Sequence, residues 1–260
     1  MTKTMLITGA SEGIGLETAR AAAARGDRVL MVARDRAKLD AAASTVPGAE
    51  IAVVDLADHA ALEAFLGTLD DRGYCPDVLV NNAGQGLSGT FVTGEWSKIG
   101  TMLGVNMVAL ARLSHWAANR MTQRGWGAIV NLSAAVATRP TPHFAAYAAS
   151  KAFVSNLSQA LDSELQGNGV SVSVIHPPAV RTRFADAGKA DLMSTLVLRL
   201  FPSVSPATVA RAILRAADRR RRSVIVGPVA AIVMATAPIM PRPLDLAFMT
   251  LLFKRRRMAA

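Results

Sequence analysis

The stretch Thr8-Gly9-Ala10-Ser11-Glu12-Gly13-Ile14-Gly15 decides the fold, because it follows the first apolar run and opens an Ala-rich segment of helical length. Glycines permit a tight turn and let the backbone approach a phosphate group closely. The N-terminus of the following helix offers free N–H groups and the positive end of the helix dipole. A Gly-rich turn is informative when it joins a strand to a helix in this way. The stretch therefore predicts a phosphate-binding turn.

Short runs rich in Val and Ile alternate with longer amphipathic stretches along the whole chain. The runs cover residues 5–8, 29–32, 51–54, 78–80, 128–132, 172–175 and 224–226. Strands that are apolar on both faces and alternate with helices predict a parallel sheet covered by helices on each side. Right-handed crossovers then give an α/β, Rossmann-like, doubly wound sheet of about seven strands, with ligands at the carboxyl ends of the strands.

Composition fits a globular chain, with 51% hydrophobic and 18% charged residues among 260. The single cysteine, Cys75, excludes a disulfide within the chain and a zinc site built from cysteines. The histidines lack metal-ligand spacing, so no metal is expected. No secretory signal pattern precedes the first strand, and a cytoplasmic location is expected.

The net charge of +10 is unevenly placed. Residues 1–180 hold 14 basic and 15 acidic side chains, whereas residues 181–260 hold 15 basic and 4 acidic ones. The first part therefore has the charge balance of a soluble enzyme, and the excess positive charge belongs to the C-terminal third.

Further motifs follow the glycine turn in a fixed order. They are Asn81-Asn82-Ala83-Gly84, Asn106, Tyr147-x-x-x-Lys151, and Pro177-Pro178-Ala179-Val180-Arg181-Thr182. Over roughly residues 3–226 the chain resembles the short-chain dehydrogenase/reductase family. The resemblance implies one catalytic domain over residues 1–226, with a substrate lid at 183–204. It also implies an oxidoreductase that interconverts a carbonyl and an alcohol, and a homodimer or homotetramer built on helices 99–121 and 147–165.

The end of the second strand distinguishes NAD from NADP. An acid there would bind the ribose 2′-hydroxyl and repel a 2′-phosphate, whereas an Arg does the opposite. Ala33 stands where NAD-preferring relatives tend to carry an acid, and Arg34 resembles the family's 2′-phosphate ligand. NADP(H) is therefore the expected cofactor. Two acidic residues argue against NADP(H). Asp35 follows Arg34 directly, and Glu12 stands in the glycine loop, where NADP enzymes often carry a basic residue.

The resemblance also implies the rest of the cofactor site. Asp55 and Leu56 should flank the adenine, residues 82–84 should line the cleft, and Thr182 with the Val180 backbone should hold the carboxamide. The full set of expected cofactor-binding residues is Gly9, Ser11, Glu12, Gly13, Ile14, Gly15, Arg34, Asp55, Leu56, Asn82, Ala83, Gly84, Tyr147, Lys151, Pro177, Val180 and Thr182.

Tyr147 and Lys151 are the expected catalytic pair, because i, i+4 spacing puts both on one face of a helix. A free Tyr has a pKa of about 10, and a nearby ammonium favours the phenolate and lowers that value. The resemblance adds that Lys151 grips the nicotinamide ribose and that Asn106 helps hold a water in a proton relay.

The family's catalytic serine position is occupied by Ala134, and Ser133 stands one residue earlier. Since side chains alternate along a strand, a slip of one residue turns Ser133 to the other face. Three readings stay open. A local bulge presents Ser133 as the catalytic hydroxyl; the enzyme works without that hydroxyl; or the site is impaired. In the last case the protein is a dinucleotide-binding scaffold or sensor.

The substrate side is expected to be apolar, with Leu87, Phe91, His143 and Phe144 near the catalytic motif. A hydrophobic, lipid-like ketone or secondary alcohol fits such a pocket. His143 either contacts the substrate or fills a loop.

Residues 227–260 form an apolar extension that is broken by prolines and followed by Lys254-Arg255-Arg256-Arg257. This tail is expected either to pack over the domain or another subunit, or to make peripheral contact with an anionic membrane. Nucleic acid is not an expected partner, because no aromatic residues interleave the basic runs.

Overall fold

The computed structural model describes residues 2–178, 180 and 203–253. Within them, seven parallel strands form one sheet in the order β3-β2-β1-β4-β5-β6-β7. The strands are β1 (Thr4–Thr8), β2 (Arg28–Ala33), β3 (Glu50–Val53), β4 (Val78–Asn81), β5 (Gly127–Leu132), β6 (Val170–His176) and β7 (Ser223–Ile225). The predicted doubly wound fold is confirmed. Because the strand order reverses between β1 and β4, a crevice for a ligand opens at their carboxyl ends.

Helices cover both faces of the sheet. They are α1 (Gly13–Ala24), α2 (Arg36–Ala43), α3 (His59–Asp71), α4 (Trp96–Leu103), α5 (Leu110–Arg124), α6 (Ala145–Glu164), α7 (Pro206–Arg219), α8 (Pro228–Thr236) and α9 (Arg242–Leu252). Alternate residues of β1 face opposite layers: Met5 and Ile7 pack with α1 and α7, whereas Leu6 packs with α3 and α5. This alternation explains why the strands are apolar throughout.

The long helix predicted over residues 99–121 is interrupted. Between α4 and α5 the backbone forms a π-helical segment, Gly104–Ala109, that contains Asn106. A π segment places one more residue in each turn than an α-helix and is often found at functional sites. Hydrophobic periodicity does not distinguish the two, so the sequence predicted a single α-helix.

The C-terminal extension forms α8 and α9. Helix α8 packs beside the 3₁₀ turn Ala135–Thr138, which follows β5. Arg139 is buried there, forms an ion pair with Asp245 of α9, and donates hydrogen bonds to Thr236 and to the Val233 carbonyl of α8. Among the helices of the described residues, none is both long enough and apolar enough to cross a membrane.

Candidate active site

The turn between β1 and α1 requires glycine at defined positions. Gly9 and Gly13 have φ angles of +64° and +59°, which L side chains rarely adopt. A Cβ on Gly15 would lie 2.2 Å from the Gly9 carbonyl oxygen, so no side chain fits. Ser11 and Ile14 are half-buried in the same turn. The close packing leaves the backbone itself as the surface that a ligand meets.

Two polar side chains fix this turn to the end of β4. The amide nitrogen of Asn82 donates to the carbonyl oxygens of Thr8 and Gly9, at 2.9 and 3.1 Å. The Thr8 hydroxyl accepts from the backbone N–H groups of Asn82 and Ala83, at 3.0 and 2.9 Å. Asn82 therefore positions the glycine turn, a role that the sequence did not indicate. Thr8, which opens the quoted stretch, was not among the predicted site residues.

The first turn of α1 is left without a side-chain cap. Glu12 stands at its N-cap position and makes no capping hydrogen bond, whereas α2, α3 and α7 are capped by Asp35, Asp58 and Ser205. Backbone N–H groups in an uncapped first turn are open to an anion. Together with the tightly packed glycines, this turn fits a dinucleotide pyrophosphate.

Arg34 and Asp35 differ in what they do at the end of β2. Arg34 is exposed and makes no hydrogen bond or ion pair with any described residue. The Asp35 carboxylate accepts the backbone N–H of Lys38 at 3.0 Å and thereby caps α2. The carboxylate that could bind a ribose hydroxyl thus has a structural partner, and the adjacent guanidinium has none among the described residues.

Beyond β3, Asp55 and Leu56 stand where the adenine site was expected. Asp55 is exposed and accepts the backbone N–H of Ala57 at 3.0 Å, while Leu56 is buried. A carboxylate in a tight turn beside a buried leucine offers one polar edge and one apolar face, which suits a purine ring.

Tyr147 and Lys151 lie on α6 next to the end of β5. Lys151 Nζ lies 6.0 Å from the Tyr147 ring centroid and donates to the Leu132 carbonyl at 2.9 Å. Burial lowers the pKa of Lys151 to about 8 and raises the pKa of Tyr147 to about 12. The lowered tyrosine pKa predicted from the lysine charge is therefore not observed. Desolvation of the phenol outweighs the effect of the neighbouring lysine charge on the Tyr147 pKa.

Asn106 is fully buried and satisfied by hydrogen bonds. Its Oδ1 accepts the Gln85 N–H at 2.8 Å, and its Nδ2 donates to the Gln85 carbonyl and to Ser150 Oγ, at 3.0 and 3.1 Å. A Cβ on Gly84 would lie 3.2 Å from Asn106 Oδ1 and 3.4 Å from Lys151 Nζ. The fold therefore gathers residues from three distant segments around one point. Gln85 and Ser150 have no sequence signal of their own.

Ser133 faces the protein interior. Its hydroxyl donates to the Lys151 carbonyl at 2.8 Å and lies 2.8 Å from Ser155 Oγ. The ladder continues regularly, with the N–H groups of Ser133 and Ala135 bonded to Ile175 and Pro177. The bulge that would turn Ser133 toward a substrate is therefore not formed, and this geometry speaks against Ser133 as the catalytic hydroxyl. Ala134, in extended backbone, occupies the alternate face.

The remaining predicted residues are placed only in part. Pro177 is buried after β6, and Val180 forms an isolated parallel bridge with Val204. Thr182 and most of the expected lid at 183–204 lie outside the described residues.

A cavity of about 260 Å³ opens beside the start of α6. It is lined by Leu87, Phe91, Ile99 and His143, among others. His143 has a φ of +65°, and its carbonyl accepts the Gly89 N–H at 2.8 Å, so this residue shapes the pocket wall through its backbone. Leu87, Phe91 and His143 line the cavity as expected, whereas Phe144 does not, and Glu95 and Lys98 add two charged side chains to the lining.

Comparison with known families identifies this arrangement. The short chain dehydrogenase family matches residues 3–192. The chain belongs to the short-chain dehydrogenase family. It is therefore an oxidoreductase, and the family uses nicotinamide cofactors.

Solved short-chain dehydrogenases share the whole fold. One from Sphingobium yanoikuyae, solved in complex with NADPH, is 34% identical with a TM-score of 0.79, and the match covers 99% of this chain and 98% of that one. A bulky-bulky ketone specific alcohol dehydrogenase from Comamonas testosteroni is 31% identical with a TM-score of 0.76, covering 99% and 96%.

Two reductases of ketoacyl substrates are also similar. A ketoacyl reductase from a Nostoc strain is 31% identical over 228 residues, which are 86% of this chain and 78% of that protein. A 3-ketoacyl-(acyl-carrier-protein) reductase from Brucella melitensis, solved with NADH, is 25% identical with a TM-score of 0.77, covering 86% and 96%. Both nicotinamide cofactors therefore occur among the relatives.

Proposed function

We propose that this short-chain dehydrogenase is an NADP(H)-dependent reductase that interconverts a hydrophobic ketone or aldehyde with its alcohol. The observation that carries the proposal is the grouping of the half-buried Tyr147 with the buried Lys151 and Asn106 beside the end of β5. A phenol, an amine and a satisfied amide in one water-poor site are the parts needed for proton transfer to a carbonyl oxygen.

The chain's own residues supply the proton and the orientation. NADPH, when bound, supplies the hydride for the carbonyl carbon. The Tyr147 hydroxyl donates its proton to the carbonyl oxygen, and a pKa of about 12 keeps that hydroxyl protonated at neutral pH. The Lys151 ammonium, 6.0 Å from the ring, stabilises the phenolate that forms. A protonated Tyr147 favours carbonyl reduction at neutral pH. Alcohol oxidation needs the phenolate instead, so we expect its rate to rise with pH.

Two neighbouring residues at the end of β2 support the preference for NADP(H). Asp35 caps α2, whereas Arg34 has no partner among the described residues and could bind a 2′-phosphate. The NADPH complex of the Sphingobium relative supports the same choice. The glycine turn, Asp55, Leu56 and residues 82–84 would hold the rest of the dinucleotide.

Arg34→Ala should weaken NADPH binding by about 10- to 100-fold and leave NADH binding unchanged, because charge-assisted hydrogen bonds contribute about 1.5–3 kcal/mol. Isothermal titration of both cofactors measures the difference. Arg36→Ala is the matched control, since that neighbouring guanidinium is bonded to Asp40 at 2.8 Å. An NADH preference in the unaltered protein, or an equal loss for both cofactors in the variant, would overturn the assignment.

Hydrophobic ketones are the proposed substrate class. The cavity lining is mostly apolar, and the Comamonas relative is named for its specificity for bulky ketones. A panel of cyclic and long-chain ketones, each followed by NADPH oxidation, tests this choice against short polar carbonyls.

Ala134 favours a second candidate, a dinucleotide-binding scaffold or sensor with weak catalysis. Ala134→Ser should raise kcat/KM for ketones by about 10-fold or more, because a single hydrogen-bond donor to a developing oxyanion is worth about 10²–10³-fold in rate. Ala135→Ser, at the buried neighbouring position, is the control and should give no gain. Unchanged or lower turnover in Ala134→Ser would show that this site does not use a hydroxyl at that position.

A further inference from the structure

Helix α9 has a buried face and an exposed apolar face. Its inner face carries the buried Asp245 and Met249. Its outer face carries Leu244, Phe248 and Leu251, which are 62%, 49% and 65% exposed. Because these three residues follow i, i+4, i+7 spacing, they form one continuous row along the helix. We call this row the α9 stripe.

Exposed apolar side chains continue on the neighbouring segment. Ile232 of α8 and Ile239 in the connection to α9 are 56% and 80% exposed. Single exposed aliphatic residues are ordinary on protein surfaces, but large side chains concentrated on one two-helix unit mark an interaction surface. Within the described residues, the α9 stripe remains largely open to solvent.

The sequence beside the stripe is strongly basic. Lys254-Arg255-Arg256-Arg257 follows Phe253 directly in the sequence and lies outside the described residues, and Arg242 is exposed at the start of α9. Asp245 is the sole acid in residues 227–260, and it is buried against Arg139. The second basic run, 219–222, does not add to this surface. It precedes β7 and so lies at the amino ends of the strands, whereas the active site lies at their carboxyl ends.

We propose that the α9 stripe docks on an anionic phospholipid surface. Exposed apolar side chains on a helix enter the headgroup boundary, and the four basic residues that follow Phe253 in the sequence would attract anionic lipid. A second copy of the chain fits less well, because residues 227–260 carry five basic side chains and one acid, which is buried, so two copies would repel each other there.

The stripe is also coupled to the catalytic region. On the inner side of this segment, the Phe253 ring meets Phe144 edge to face at 5.7 Å, and Phe144 meets Tyr147 at 6.4 Å. The Arg139–Asp245 ion pair ties α9 to the segment after Ala134. Docking would therefore place the lipid surface near the active site, because Phe253 and Phe144 connect the end of α9 to Tyr147.

Sedimentation of the full chain with vesicles tests the proposal. We expect binding to phosphatidylcholine vesicles that contain phosphatidylglycerol, and roughly tenfold or more weaker binding to pure phosphatidylcholine vesicles. High salt should weaken the binding. Replacing all four residues from Lys254 to Arg257 by Ser should reduce binding to anionic vesicles to the neutral level. This assay needs neither cofactor nor turnover, so its failure is distinct from failure of the proposed activity.

Leu244→Ser, Phe248→Ser and Leu251→Ser, combined, should lower vesicle binding by roughly tenfold or more. The matched control combines Val53→Ser, Val92→Ser and Val108→Ser, which are exposed on other segments and should bind like the unaltered protein. Circular dichroism and thermal unfolding verify that both variants fold. Equal binding by the stripe variant, or no binding to anionic vesicles, overturns the proposal. A dimer that the stripe variant abolishes, without vesicle binding, also overturns it and assigns the surface to a second copy.

Discussion

Tyr147→Phe lowers kcat for ketone reduction by about 10²–10⁴-fold, the usual contribution of a positioned general acid. The substitution removes the proton donor and keeps the ring, so the contacts with Phe144 and Lys151 stay in place. NADPH affinity is expected to stay within about threefold, because the glycine turn and Arg34 are untouched. Stopped-flow NADPH oxidation with a bulky ketone, alongside calorimetric titration, measures both quantities.

Tyr74→Phe is the matched control for this experiment. Tyr74 is the other tyrosine of the chain, and it is partly buried between α3 and β4, away from the catalytic group. Burial raises its pKa as well, and its loss should leave kcat unchanged. If the unaltered protein and Tyr147→Phe were equally inactive while both bound NADPH, the reductase proposal would fail and the scaffold function would replace it.

Asp245→Asn should lower the free energy of unfolding, or of undocking α8 and α9, by about 3–5 kcal/mol, because it leaves a buried guanidinium without its counter-charge. The side chains of Arg139 and Asp245 are only 3% and 7% exposed. Urea unfolding, together with hydrogen exchange across α8 and α9, separates global unfolding from local undocking.

Two comparisons separate a buried pair from an ordinary surface pair. Arg139→Met combined with Asp245→Leu should recover most of the lost stability, since apolar replacements of a buried ion pair are often neutral or stabilising. Asp40→Asn, which breaks the exposed Arg36–Asp40 pair, should cost less than about 1 kcal/mol. A loss of that small size in Asp245→Asn would show that the buried pair does not hold the C-terminal helices.

Local patterns made much of the fold predictable. Runs of Val and Ile placed all seven strands, and the quoted glycine stretch placed the turn where Gly9, Gly13 and Gly15 prove sterically required. The i, i+4 spacing of Tyr147 and Lys151 put both on α6. Each of these signals lies within a few residues of chain, where backbone geometry leaves few alternatives.

Long-range and burial effects were not predictable in the same way. Arg139 and Asp245 are 106 residues apart, and nothing in their local sequence distinguishes them from surface charges. Similarly, the sequence offered Ser133 as a catalytic hydroxyl, and only its contacts with Lys151 and Ser155 show that the group is used in packing. The direction of the Tyr147 pKa shift followed desolvation, which a sequence does not report.

The π segment between α4 and α5 changes the direction in which the side chains of the following helix point. One extra residue per turn rotates the side chains before it relative to those after it by about 100°. Lys98 and Ile99 of α4 can therefore face the cavity while Leu113 and Trp116 of α5 face the sheet. The two α-helices thus keep the same repeat but point their apolar rows in different directions, α4 toward the ligand side and α5 toward the core, and Asn106 lies in the segment between them.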